Sequence, residues 1–126
     1  GTCFHESLGG TYLAQVGGGP ARGIYQIEPR TEMDVWETYL IKSRAGRRQF
    51  MMDMVGFRSY NARPLLTVDL EYQTALCRLV YYRQTFTWPE FNDIPALADV
   101  WKKFFNTKHG AGTQQQFIND FPMDAI

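Results

Sequence analysis

The sequence predicts a mostly α-helical protein that forms a single domain of 126 residues. Apolar side chains recur at helical spacing in several segments, and helix-capping residues (Asp69, Asp93 and Thr113) stand before three of them. No segment of useful length alternates polar and apolar residues, and no internal repeat is present. With 44% apolar residues, the chain has enough material for one hydrophobic core. We therefore expect one domain of about six helices over residues 1–126.

The first predicted helix is short and ends at Gly9 and Gly10, because glycine commonly terminates helices. A glycine-rich stretch with Pro20 follows, and we expect a shaped loop that forms one wall of a groove. Thr31 then predicts an N-cap, followed by an acidic first turn. Only five residues precede Glu6. Because so short a helix is marginal alone, we expect the domain to be truncated at its N-terminus.

The second half of the chain has clearer helix signals. Gly56 ends a short helix, and Asp69 caps a long one that we expect to be the central core helix. Asp93 caps the next helix, and Thr113 with Gln116 forms a capping box. The predicted helices after the first cover residues 31–44, 47–55, 70–84, 94–105 and 114–121, with loops at 9–23 and 57–68.

Charge and composition exclude several classes of protein. The 13 basic and 13 acidic residues give no net charge, which argues against nucleic-acid binding. No apolar run approaches the roughly 20 residues of a membrane span, and no signal peptide is visible. Cys3 and Cys77 are interpreted as two buried free thiols, since free cysteine behaves as a small apolar residue. A disulfide between them in an oxidising compartment stays open as an alternative.

Three segments carry the chemical information. They are Glu6-Ser7, the Gly-Ile-Tyr-Gln-Ile-Glu-Pro run at 23–29, and the Phe-Asn-Thr segment at 105–107, which Gly-Ala-Gly-Thr follows at 110–113. Their order resembles the lysozyme-like domains of the soluble lytic transglycosylase family. Those domains carry a Glu-Ser pair, then a Gly-Leu-Met-Gln-x-x-Pro-type segment, then a Tyr-Asn-x-Gly-type segment. The resemblance covers nearly the whole chain.

The resemblance implies a lysozyme-like fold with a sugar-binding groove and peptidoglycan glycan strands as the substrate. It implies cleavage of the β-1,4 bond between N-acetylmuramic acid and N-acetylglucosamine by one glutamate, which leaves a 1,6-anhydro product without a metal or cofactor. The compact size and long glycine-rich loop look most like the peptidoglycan-degrading domains of phage virion proteins. Such a protein would act in the host periplasm during genome entry, with other virion proteins as partners.

Glu6 is the candidate catalytic acid. It lies at the end of an apolar helix beside the glycine-rich wall, where partial desolvation would raise the pKa of its carboxyl toward the working pH. A two-carboxylate muramidase would need a second acid about 5 to 9.5 Å away. Residues 7–27 contain no Asp or Glu, so Glu28 and Asp34 are the candidate second carboxylates. The absence of a nearer acid favours the one-carboxylate route.

Four candidate substrate-binding residues lie near Glu6 in the sequence. By resemblance, Gln26 hydrogen-bonds the sugar or positions the site, and Tyr25 stands where the family often has Met. Gly23 would allow the backbone to approach the glycan closely. Ser7 would orient the acid by a hydrogen bond. The alternative for residues 23–27 is a tight turn with a half-buried tyrosine and an exposed glutamine.

Two further candidates lie near the C-terminus. Phe105 occupies the family's tyrosine position without the hydroxyl, and Asn106 would hydrogen-bond an N-acetyl group. The alternative is that Phe105 belongs to the core and Asn106 is a helix C-cap. Because Phe105 lacks the hydroxyl, a catalytically silent structural module of a virion stays open as an alternative function. Trp36 and Trp101 are assigned to the core, and the two histidines show no triad spacing.

Overall fold

Seven α-helices form in the part of the chain that the computed structural model describes, namely residues 1–43, 46–56 and 65–125. They are α1 (Thr2–Ser7), α2 (Pro29–Asp34), α3 (Arg47–Val55), α4 (Leu65–Val68), α5 (Leu70–Tyr82), α6 (Ile94–Trp101) and α7 (Gln114–Asp120). Helix α2 continues as a π-helical turn over Val35–Leu40, α6 continues likewise over Lys102–Asn106, and a 3₁₀ turn covers Met123–Ala125. No strand forms within these ranges, where isolated bridges join Arg22 to Ala14 and Ile27. The predicted mostly α-helical class is confirmed.

Three of the four predicted capping residues act as the sequence predicts. Asp69 and Asp93 each accept a hydrogen bond from the backbone N–H three residues later, at the start of α5 and α6. Thr113 and Gln116 make both bonds of a capping box at the start of α7. Each of these side chains satisfies an N–H group that has no partner inside the helix.

Several elements differ from the prediction. Helix α1 ends at Ser7, with Leu8 as its left-handed C-cap, and not at Gly9 and Gly10. Helix α2 begins at Pro29, so Thr31 lies inside the first turn and does not cap it. Proline suits that position because its missing N–H would have no helical partner there. Residues Leu65–Val68 form α4, where we expected a loop. The predicted end at Arg44 and the loop prediction for 57–64 lie outside the described residues.

Helix α5 is the centre of the main core, as predicted. Tyr72 and Leu76 have no solvent exposure, and α3 and the π-helical turn after α2 pack against this helix. The main core cluster comprises Ile27, Val35, Trp36, Leu40, Met51, Val55, Leu65, Leu66, Tyr72, Leu76, Cys77, Leu79, Val80 and Tyr81. This scaffold fixes the C-terminal end of α5, which borders the groove described below.

A second cluster joins the two ends of the chain. Ala98, Trp101 and Phe117 are buried between α6 and α7, and α1 packs against α7. The six-residue α1 is too short to be stable alone, so its position depends on these contacts. The helix that carries Glu6 is therefore held by the C-terminal helices.

Cys3 and Cys77 are free thiols in the structure. Burial raises the pKa of the Cys77 thiol to about 12. No helix within residues 1–43, 46–56 and 65–125 combines the length and apolar character that crossing a membrane requires.

Candidate functional site

Glu6 lies in a groove of about 560 Å³ whose walls come from distant parts of the chain. Helix α1 and the loop before α2 form one side, and the end of α5, the π-helical end of α6 and the turn that follows it form the other. The predicted site residues at the groove are Glu6, Gln26, Glu28, Phe105 and Asn106. The fold thus brings members of all three sequence segments to one surface.

The Glu6 carboxyl is partly buried and holds a defined hydrogen bond. Its Oε1 atom accepts from the indole Nε1–H of Trp101 at 2.8 Å. Burial raises the pKa of this carboxyl above its ordinary value, while the Trp101 hydrogen bond and the nearby His5 act in the lowering direction. A carboxyl in this setting keeps its proton to higher pH than a solvated glutamate.

Trp101 is both a core residue and the partner of Glu6. Only 1% of its surface is exposed, and its ring stacks on Phe117 with 5.2 Å between centroids. The predicted core assignment is confirmed, but its contact with the candidate acid was missed. The two residues are 95 positions apart, so no local pattern connects them.

His5 also lines the groove, although no role was predicted for it. Its Nδ1 atom lies 2.7 Å from Oδ2 of Asp120, at the end of α7. Its ring meets that of Trp101 edge-on, with 4.4 Å between centroids. His5 and Glu6 therefore contact the same indole. The one sequence signal for a role of His5 was that it directly precedes Glu6.

The far wall of the groove is built around Lys102. Its ammonium donates to Oδ1 of Asn106 at 2.7 Å and to the carbonyl oxygens of Gly110 and Gly112 at 2.9 and 2.6 Å. These bonds close the turn and leave the amide N–H₂ of Asn106 as the donating end of that side chain. Phe105, which precedes Asn106, is partly buried and contributes its ring to the groove.

Gln26 and Glu28 belong to the near wall. Gln26 has a left-handed backbone (φ 47°), and its amide nitrogen donates to the carbonyl oxygens of Tyr12 and Gly23 at 3.0 and 2.9 Å. The side chain therefore stabilises the turn while it lines the groove. Glu28 occupies the N-cap position of α2 and also lines the groove.

Ser7 and Tyr25 lie elsewhere, which corrects two expectations. Ser7 is buried, and its hydroxyl donates to the Ile24 carbonyl at 2.7 Å and accepts from Gly10 N–H at 2.9 Å, so it anchors the loop and does not orient Glu6. Tyr25 lines a separate apolar cavity of about 970 Å³, where its hydroxyl is 3.2 Å from the hydroxyl of Thr74.

Gly23 and Asp34 also lie away from the groove. A Cβ atom on Gly23 would collide with the carbonyl oxygen of Leu66 and the side chain of Gln73, so this glycine permits close packing on α4 and α5. Asp34 forms an ion pair with Arg83 and accepts from the Thr38 hydroxyl. Its carboxylate is thus occupied, and Glu28 remains the candidate second acid at the groove.

No three His, Cys, Asp or Glu side chains are arranged as metal ligands within the described ranges. Comparisons with protein families, with curated proteins and with solved structures find no match to this chain.

Proposed function

We propose that this protein cleaves the β-1,4 bond between N-acetylmuramic acid and N-acetylglucosamine in peptidoglycan, with Glu6 as the acid. The observation that carries the proposal is a partly buried carboxyl in a groove, with its pKa raised by burial. A general acid must hold its proton near the working pH, and burial is a common way to achieve this for glutamate.

The reaction begins with proton transfer from Glu6 to the leaving oxygen as the glycosidic bond breaks. In the one-carboxylate route, the muramic acid 6-hydroxyl then closes on the anomeric carbon and gives a 1,6-anhydro product. Gln26 and Asn106, on opposite walls of the groove, are the polar side chains we assign to the sugar. The donating amide end of Asn106 suits the carbonyl of an N-acetyl group.

The lysozyme-like arrangement and the biological setting belong to the same proposal. The order of the three segments supports a lytic transglycosylase-like domain, and their meeting at one groove agrees with that likeness. By the same resemblance, we place the protein in a phage virion, acting on the cell wall in the host periplasm beside other virion proteins.

A two-carboxylate muramidase is the second candidate, because Glu28 lines the same groove as Glu6. In such an enzyme Glu28 would stabilise the positive charge or activate water while Glu6 donates the proton. The product would then carry a reducing end. A catalytically silent virion module is the third outcome, favoured by the missing hydroxyl at Phe105.

The test compares the unmodified protein with Glu6→Gln on purified peptidoglycan, with mass spectrometry of the released muropeptides. We expect 1,6-anhydro products from the unmodified protein and their loss in the variant, because glutamine cannot donate the proton. Glu90→Gln, at an exposed position outside the groove, is the matched control. Reducing-end products would instead indicate the muramidase. No release from the folded protein would indicate the silent module.

A further inference from the structure

His5 is held in one orientation by Asp120. Nδ1 lies 2.7 Å from the Asp120 carboxylate, and 13% of the His5 side chain is exposed. A carboxylate accepts hydrogen bonds, so the neutral ring carries its proton on Nδ1 and keeps a lone pair on Nε2. Asp120 thus prepares Nε2 to accept a proton.

Nε2 faces the wall of the groove at Gly112. It lies 3.1 Å from the position that a Cβ atom on Gly112 would occupy. The same position is 2.7 Å from the Trp101 ring and 3.2 Å from Nδ2 of Asn106. A side chain at position 112 would therefore crowd all three groups. Glycine leaves Nε2 beside the groove and next to a proposed sugar-binding amide.

His5 and Glu6 both line the groove, and both contact the indole of Trp101. The Glu6 carboxyl accepts from Nε1–H of Trp101, and the His5 ring contacts the same ring system edge-on. We infer that His5, oriented by Asp120, is a second proton-transfer group of this site and takes the proton of the attacking 6-hydroxyl. This inference rests on the proposed function and assigns to His5 the base of that reaction, which the one-carboxylate route would assign to Glu6.

In the proposed step one proton passes from Glu6 to the substrate, and one passes from the substrate to His5. Glu6 gives its proton to the glycosidic oxygen as the bond to the anomeric carbon breaks, and the bonding pair stays on that oxygen. The 6-hydroxyl oxygen forms the new bond to the anomeric carbon, and its proton passes to Nε2 of His5. The imidazolium then releases one proton to solvent while the Glu6 carboxylate takes one up, which restores both groups.

The experiment measures kcat and KM on peptidoglycan for His5→Ala, with and without added imidazole. General-base catalysis contributes about 10²- to 10⁴-fold, so we expect kcat to fall at least about 100-fold with little change in KM. Added imidazole should restore part of the lost turnover, since it can replace the missing base. His109→Ala is the matched control, because His109 is exposed and does not line the groove.

Asp120→Asn provides a second variant that keeps the imidazole in place. We expect a fall in kcat with an unchanged melting temperature, because the amide no longer fixes the proton on Nδ1. Full activity of folded His5→Ala, or a loss that imidazole does not relieve, would overturn the inference while Glu6→Gln still abolishes activity. Failure of the proposed function is distinct, since the unmodified protein would then release nothing.

Discussion

The proton affinity of Glu6 is set by burial, which opposes the effects of Trp101 and the nearby His5. Burial raises the pKa of the carboxyl, and the hydrogen bond from Trp101 lowers it by stabilising the ionised form. An acid catalyst must be protonated, so activity falls as pH rises through this pKa. The alkaline side of the pH profile therefore reports the balance between desolvation and the indole donor.

Trp101→Phe should change the pKa of Glu6 while it keeps most of the packing in the core. Phenylalanine keeps an aromatic ring beside Phe117 but offers no N–H to Glu6, so the pKa of Glu6 should rise further. We expect the alkaline limb of the kcat/KM profile to move to higher pH, together with a lower maximal rate. The measurement is kcat/KM against pH, with the melting temperature recorded in parallel.

Trp36→Phe is the control for the Trp101 variant. The Trp36 indole is also buried and donates to the Tyr72 hydroxyl at 2.9 Å, but it does not line the groove. Its replacement should reduce stability and leave the pH profile in place. Equal shifts in both variants would mean that the Trp101 effect is not specific to Glu6.

Long-range contacts at the residue scale could not be predicted from the sequence. Glu6 was predicted as the candidate acid from its place in the sequence, whereas its partner Trp101 is 95 positions away and the His5–Asp120 pair spans 115. Such pairs are fixed by helix packing, which no local pattern encodes. Ser7 was misassigned for the same reason, since its contact with Ile24 depends on how the loop folds back.

At the scale of elements, α7 links stability to the candidate site. It begins with the Thr113 capping box, ends at Asp120 and packs against α1. Thr113→Ala removes a cap hydrogen bond and should cost about 1 kcal/mol of unfolding free energy. For a domain of this size we expect the melting temperature to fall by about 4 °C.

Thermal unfolding of Gln115→Ala beside Thr113→Ala tests that assignment. Gln115 is exposed on the same helix, where its amide donates to Asn119 at 2.9 Å. Its replacement should change stability by less than about 0.5 kcal/mol, as is usual for surface positions. A similar loss in both variants would show that the capping box has no special part in holding α7.

Prediction of elements succeeded where the signal is local. Asp69, Asp93 and Thr113 were identified because a cap needs only one side chain and the N–H three residues later. Helix α4 was missed because four residues are too few to show a helical period. Thr31 was predicted as the N-cap of α2, but the helix begins two residues earlier at Pro29, which suits the first turn because proline lacks an N–H.

At the scale of the whole molecule, a buried polar chain joins α2 to α5. The Tyr72 hydroxyl donates to the Glu32 carboxylate, and the Trp36 indole donates to the Tyr72 hydroxyl. Burial raises the pKa of Glu32 above its ordinary value, although the Tyr72 bond lowers it. Glu32 therefore keeps its proton to higher pH in the folded state than in the unfolded chain.

This elevation makes stability depend on pH. The contribution of Glu32 is complete below the ordinary glutamate pKa and is lost as pH rises through the higher pKa of the folded state. Glu32→Gln keeps an acceptor for Tyr72 but cannot ionise. We expect equal stability at acidic pH and a gain at neutral pH of about 1.4 kcal/mol per pKa unit of elevation, measured by denaturant unfolding.

Glu32→Ala is the contrasting variant. It removes the acceptor of the Tyr72 hydroxyl and leaves a cavity, so it should destabilise the protein at every pH. If Glu32→Gln is less stable than the unmodified protein at neutral pH, the ionised carboxylate is favourable in the core and its pKa is not raised.

The close packing of Gly23 has a consequence for evolution. Any side chain there would collide with Leu66 and Gln73, and the backbone is left-handed (φ 77°), so mutation would damage folding whatever the groove binds. Related proteins should therefore retain glycine at this position, whether they keep the proposed activity or lose it. Position 6 is constrained differently. A partly buried carboxyl is unfavourable for stability, so Glu6 should be replaced once the proposed reaction is no longer selected. In natural variants, substitution at position 6 beside an unchanged Gly23 would mark a lineage that kept the fold and lost the proposed reaction.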